Sequence, residues 1–283
     1  LLVDLVHSLP MVLAAATLSR SSDCSILQAD LGENSRMANE VRQLEDHLRE
    51  ALRRISTATV ATILHRRGLR NQFVQGVARL APVQETMVGQ AFTLRHIPAR
   101  EDIDVGAIFA EPDHPQRVAV DTIPAGHVLV LDCRRDATAA SLGGILATRL
   151  EMRGCAGVVS DAGIRDADYA SGLNMPVYVA GRSAPTNLTK HHAIDINVPI
   201  GCGGVAVYPG DVMLGDGDGV MVIPLEIVGE VVEDAQRMEH FEQFATELIR
   251  AGHPVIGVYP PNQTTAALYA QYSRQHPQGQ GAV

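Results

Sequence analysis

The stretch Leu142-Gly-Gly-Ile-Leu-Ala-Thr-Arg-Leu-Glu-Met-Arg-Gly-Cys-Ala-Gly-Val-Val-Ser-Asp-Ala-Gly-Ile-Arg-Asp166 decides the reading of this 283-residue chain. Gly143 and Gly144 begin a helix predicted over 142–153 and closed by Gly154. Backbone N–H groups at a helix start have no intrahelical acceptor, and glycines let an anion approach them. The helix leads into a short buried strand, 156–160, and a turn through Asp161, Ala162 and Gly163. Arg165 and Asp166 then fall at the C-terminal side of that strand, where open α/β sheets place their ligands. Spacing leaves two readings open. One is a carboxylate- and metal-binding corner; the other is a Gly-rich turn followed by a local surface ion pair.

Outward from this block, the pattern is strand–helix–strand, which argues for an α/β fold. Val41, Leu44, Leu48 and Leu52 mark an amphipathic helix opened by Met37, and 55–67 reads as a second helix with Ser56 or Thr57 as cap. Strands are predicted over 88–97, 126–132 and 176–180. From Val205 the chain reads as hairpins: 205–208 against 212–214 through Pro209-Gly210-Asp211, then Gly215-Asp-Gly-Asp-Gly219 before 220–224. A long charged helix fills 225–251 and stops at Gly252. Residues 1–36 are expected to be a poorly ordered or non-native extension, 37–252 a single domain, and 253–283 a loosely packed tail.

A chain that is 46% hydrophobic and 19% charged folds around a core, which excludes a disordered chain. Its net charge of −9 argues against a nucleic-acid backbone binder. Of 23 basic residues only Lys190 is a lysine, so an imine-forming mechanism has one candidate. Cys24, Cys133, Cys155 and Cys202 lie far apart without a C-x-x-C pair, which suggests a reducing, cytoplasmic setting. No apolar run reaches the roughly 20 residues of a membrane span.

The block G-G-I-L-A-T…G-V-V-x-D-x-G-I-R-D resembles the signature of the RraA-like family of class II pyruvate aldolases. That family holds 4-hydroxy-4-methyl-2-oxoglutarate aldolases and the RraA regulators of ribonuclease E. Val88-Gly-Gln-Ala-Phe-Thr-Leu-Arg95, Gly126–Asp132, Pro176-Val-Tyr178, Asn197–Val205, Pro209-Gly-Asp211 and Gly215–Val220 match the same pattern in order. The resemblance covers about 40–250. It implies an α/β/β/α sandwich similar to phosphohistidine swivelling domains, with hairpins and a long helix at the C-terminal side. It also implies a homotrimer or hexamer with sites between subunits.

The resemblance places the carboxylate-binding helix start on Gly143, Gly144, Ile145 and Leu146. Arg165 is then the substrate-binding and catalytic arginine, and Asp166 the direct ligand of a divalent cation, Mg²⁺ or Mn²⁺. The implied substrate is a pyruvyl-type oxo acid, cleaved by retro-aldol chemistry or, for oxaloacetate, decarboxylated. The alternative it implies is a non-catalytic regulator binding ribonuclease E or another protein. Aldolase members often carry an acid where this chain has Gly144, and a glutamate from a neighbouring subunit's C-terminal helix, for which Glu239 and Glu242 are candidates. Asp161 either orients Arg165 or stabilises the turn. The run 182–187, ending at Asn187, is a candidate substrate contact; His191-His192 reads as a loop or oligomer contact, and Gly215–Gly219 as a turn.

Overall fold

In the computed structural model, which describes residues 42–82 and 85–277, the strand His127–Asp132 sends alternate side chains to different cores. Leu129 and Leu131 face one cluster; Val128 and Val130 face another. This period-two division is what a strand buried on both faces requires.

In chain order the described elements are α1 (Asp46–Leu52), α2 (Thr57–Arg66), β1 (Ala78–Arg79), β2 (Met87–Pro98), α3 (Pro115–Thr122), β3 (His127–Asp132), β4 (Ala140–Leu142) and α4 (Gly144–Met152). They continue as β5 (Gly157–Ile164), α5 (Ala167–Ala170), β6 (Val177–Arg182), β7 (His191–Ile196), β8 (Ile200–Cys202), β9 (Val205–Val207), β10 (Val212–Gly215), β11 (Val220–Ile223), α6 (Val228–Arg250) and α7 (Gln263–Gln275). Among the described residues nine strands make one sheet ordered β1-β6-β5-β3-β2-β10-β11, with β4 also on β5 and β7 also on β2. The centre, β2-β3-β5-β6, is parallel, whereas β10 and β11 add antiparallel.

The sheet curls. Three strands separate β6 from β10, yet a Cβ on Gly215 would lie 2.9 Å from the Tyr178 ring, and the Tyr178 hydroxyl donates to the Asp216 carbonyl at 2.9 Å. Val130, Val159, Tyr178, Met213 and Val222 fill the inside of the curl with Cys202 and Val205 of the separate β8–β9 hairpin. Outside, α3, α4 and α5 cover Leu94, Leu131 and Val158 on one flank. On the other flank α1, α2 and α6 cover Val88, Leu214 and Ile223. The described residues from Arg42 onward form one compact unit.

Most predicted elements appear near their expected bounds, and Ser56 caps α2, its hydroxyl accepting the Thr59 N–H at 3.0 Å. The proposed start at Met37, the extension 1–36 and Val41 lie outside the described residues. Five expectations change. Residues 42–45, expected within the first helix, are not helical, and α1 begins at Asp46. Residues 161–163 are not a turn: β5 runs on to Ile164, with a register irregularity between Ser160 and Gly163. Leu142 belongs to β4, not to the helix, because Gly143 is extended. The strand from Val205 pairs back onto β8 rather than forward across Pro209-Gly210-Asp211, because Gly203 and Gly204 at positive φ make the tight turn. The C-terminal run is not loose through 263–275: Asn262 caps α7 by accepting the Thr265 N–H at 2.9 Å. Tyr269 and Tyr272 then pack against His240 and Phe244 of α6.

Candidate functional site

β4 lies parallel to the end of β5, with Ala140 opposite Gly163 and Leu142 opposite Ile164. The Arg165 N–H continues this pairing to the Leu142 carbonyl at 2.9 Å, which sets Arg165 and Asp166 beside Gly143 and Gly144. Asp166 takes the left-handed conformation (φ 54°, ψ 40°), which Asp tolerates better than most residues. From there its Oδ2 accepts the Gly144 N–H at 3.0 Å. The glycines permit this approach. A Cβ on Gly143 would come within 3.4 Å of Asp166 Oδ2, and one on Gly144 within 3.0 Å of Tyr169 Cδ1.

The first intrahelical bond of α4 runs from Ala147 N–H to the Gly143 carbonyl, at 3.0 Å. Asp166 takes the Gly144 N–H, leaving those of Ile145 and Leu146 for a ligand, with the positive end of the helix dipole behind them. These groups open on a pocket of about 210 Å³, which Arg165 and Asp166 also line. Phe109, Gln116, Arg117, Thr186 and Asn187, from other parts of the chain, also line it. Asp166 is the only carboxylate among the lining residues. The Arg165 guanidinium is exposed and, among the described residues, has no ion-pair partner.

Gly143, Gly144, Ile145, Leu146, Arg165 and Asp166 are therefore brought together. Asp161 is not with them. It is buried under the sheet, where Oδ1 accepts the Cys133 N–H at 2.6 Å and Oδ2 the Gly203 N–H at 3.1 Å. Burial pushes its carboxyl above the usual carboxylate range, and those N–H bonds oppose the rise. Glu239 also lies elsewhere in this chain, accepting the Ser56 N–H at 3.0 Å, and burial raises its carboxyl. Glu242 accepts from the Tyr259 hydroxyl at 2.9 Å. Asp216 of the Gly215–Gly219 turn takes the Thr57 N–H and hydroxyl at 2.8 and 2.7 Å, a structural task. His192 pairs with Asp104 at 2.7 Å, and His191 is buried beside Arg134.

Sequence reasoning missed Phe109, Gln116 and Arg117. The only local signal was Pro115 at the first turn of α3. Two larger clefts, about 680 Å³ along α2 and α6 and about 880 Å³ beside Arg49 and Gly126, lie away from the Gly143–Asp166 block.

Among the described residues no three His, Cys, Asp or Glu side chains converge to hold a metal ion. A cation at this site would rest on Asp166, water and the ligand. That donor set fits Mg²⁺, which sheds its waters reluctantly and binds through one or two carboxylates.

The family model for RraA-like proteins (Aldolase/RraA) matches residues 57–222, a span that contains β1–β10, α2–α5, most of β11 and the whole Gly143–Asp166 corner. The chain belongs to the RraA-like family. A relative from Halalkalibacterium halodurans, named "Putative 4-hydroxy-4-methyl-2-oxoglutarate aldolase", is 38% identical over 114 residues, 40% of this chain and 54% of that protein. Matches of this kind span about half the length of the first such relatives. Streptomyces coelicolor RraAS2, described as an unusual member of the RNase ES inhibitor RraA protein family, superposes with a TM-score of 0.64. It is 30% identical, over 72% of this chain and 98% of RraAS2. An uncharacterised Pseudomonas syringae protein shares the fold with a TM-score of 0.66 at 24% identity, over 77% of this chain and 99% of that one. This chain places the Arg165–Asp166 pair at the start of α4. Among the described residues no helix is long and apolar enough to cross a membrane.

Proposed function

We propose that this chain is a divalent-metal-dependent lyase that breaks a C–C bond in pyruvyl-type 2-oxo acids. Its reactions would be retro-aldol cleavage of substrates like 4-hydroxy-4-methyl-2-oxoglutarate and decarboxylation of oxaloacetate. The observation that carries this is the meeting of Arg165, Asp166 and the open N–H groups of α4 in one small pocket. Family membership alone does not fix an activity; the site does.

The Ile145 and Leu146 N–H groups and Arg165 hold the substrate's 1-carboxylate. When the C3–C4 bond breaks, its electron pair passes into C2–C3 and negative charge gathers on the keto oxygen. Arg165, with no competing ion pair among the described residues, stabilises that charge as it develops. A divalent cation held by Asp166 would supply Lewis-acid stabilisation of the same charge. Protonation at C3 then gives pyruvate. Retro-aldol cleavage must also remove the C4 hydroxyl proton, and the pocket lining offers no His, Lys or second carboxylate. That proton leaves to water. Decarboxylation needs no such base, so oxaloacetate is the easier substrate for a site with Gly144.

Ile145 and Tyr169, 86% and 58% exposed beside the pocket, support covering of the site by a second copy in a trimer or hexamer. Glu239 or Glu242 of that copy would then reach the site. Free, buried Cys133, Cys155 and Cys202 support a reducing, cytoplasmic setting. The layers of helix, sheet, inner core, sheet and helix support the swivelling-domain comparison. The likeness to RraAS2 supports a second reading, a regulator that binds a ribonuclease. Pyruvate release from a panel of oxo acids, oxaloacetate included, separates the two: Arg165→Ala should abolish it, and a wild-type protein inactive on the whole panel would leave the regulator.

A further inference from the structure

Besides Arg165, the pocket lining holds a second cation, Arg117. Arg117 lies with its guanidinium carbon 4.5 Å from the Phe109 ring centroid, a stacking that leaves the N–H edges of the fork open. Among the described residues it has no ion-pair partner, and the pocket lining holds no carboxylate besides Asp166. Its position relative to the helix start is fixed. The neighbouring Gln116 side chain is buried and donates to the Ser141 carbonyl at 2.6 Å, two residues before Gly143.

Asn187 stands in the same lining. It is 6% exposed, and its Oδ1 accepts from the Thr186 hydroxyl at 3.1 Å. Its Nδ2 is buried without an acceptor. Buried amide donors are nearly always paired, so an unmet one in a pocket wall points to a ligand that brings the acceptor.

We infer that Arg117 and Asn187 form a second anion subsite, which selects oxo acids carrying a carboxylate at the end remote from the pyruvyl group. The inference rests on the lyase reading for its near half, where Arg165 and α4 take the 1-carboxylate. The cavity of about 210 Å³ lies below the range usual for drug-sized ligands, roughly 300–1,000 Å³, and suits a small diacid spanning two arginines. In retro-aldol substrates the carboxylate that Arg117 and Asn187 would hold lies beyond the breaking C3–C4 bond, so they set specificity and take no part in that step.

The test compares 4-hydroxy-2-oxoglutarate with 4-hydroxy-2-oxopentanoate, which replaces the remote carboxylate by a methyl group. In Arg117→Leu the diacid-to-monoacid ratio of kcat/KM should fall about hundredfold, chiefly through KM for the diacid. Arg117→Lys should recover part of it, and Asn187→Leu should lower the ratio about tenfold. An unchanged ratio, or equal losses on both substrates with melting temperature preserved, overturns the subsite. If the wild type cleaves neither substrate, the lyase reading falls and the subsite is judged by calorimetry. Tighter binding of 2-oxoglutarate than of pyruvate, lost in Arg117→Leu, sustains it; equal affinity for the two acids, or no binding of either, overturns it.

Discussion

The Asp166 carboxylate accepts the Gly144 N–H at 3.0 Å, so the acid that equips the pocket also caps the helix that forms it. The two tasks are separable by substitution. Asn keeps a side-chain oxygen acceptor and tolerates the left-handed backbone of position 166 (φ 54°). Asp166→Asn should therefore melt near the wild type. Asp166→Ala loses the cap and should cost about 1 kcal/mol, a fall of about 2–4 °C in a domain of this size. Calorimetry of both variants checks this.

Gly144 is crowded by Tyr169, whose hydroxyl bonds Thr148 Oγ1 at 3.0 Å. A methyl group there meets the ring at 3.0 Å and Asp166 Cβ at 3.3 Å. Gly144→Ala should destabilise by about 1–3 kcal/mol through overpacking. In a Tyr169→Ala background the penalty should shrink, which a double-mutant cycle in urea measures.

Asp161 joins the end of β3 to the β8–β9 turn, and it makes no bond to Arg165. Asp161→Ala strands the buried Cys133 and Gly203 N–H groups and should cost about 2–5 kcal/mol. The urea midpoint should fall, while KM for oxaloacetate, measured on the fraction that remains folded, should stay within about twofold.

Asp211 is raised to about 6, first by burial and further by the charge of Glu226, against the opposing bond from the Tyr208 N–H. Between its ordinary value of 3.8 and about 6 the native state binds this proton and the unfolded chain does not. Its contribution to stability therefore grows as pH falls through 6, is complete near 4, and is lost again as pH rises. Asp211→Asn keeps an acceptor for Tyr208 N–H and should raise the urea midpoint at pH 7 more than at pH 4.5.

The near half of the site was legible because one continuous run, Leu142–Asp166, supplies it. Two strand ends and a helix start adjacent in sequence are adjacent in space, and Gly-Gly marks where backbone must come close. The far half was not. Arg117 reaches the pocket through Gln116 bonding Ser141, 25 residues on, and nothing in local periodicity announces such a bond. The β8–β9 pairing was misread for a related reason: Pro209-Gly210 and Gly203-Gly204 are both good turns, and only packing inside the curl chooses between them. The helix α7 escaped notice because a Pro/Gln-rich context hid the aromatic face that docks on α6. Asp161 shows the reverse. It sits within the decisive stretch, but the N–H groups of Cys133 and Gly203, 28 and 42 residues away in sequence, take its carboxylate, and nothing local announces those partners.

The most direct measurement is the initial rate of pyruvate release from oxaloacetate, with Mg²⁺ and with a chelator, by the wild-type protein and by Asp166→Asn. The account predicts a Mg²⁺-dependent rate in the wild type and a loss of at least about a hundredfold in a variant that melts normally. Equal rates for the two proteins, or a wild-type rate indifferent to the chelator, would contradict it.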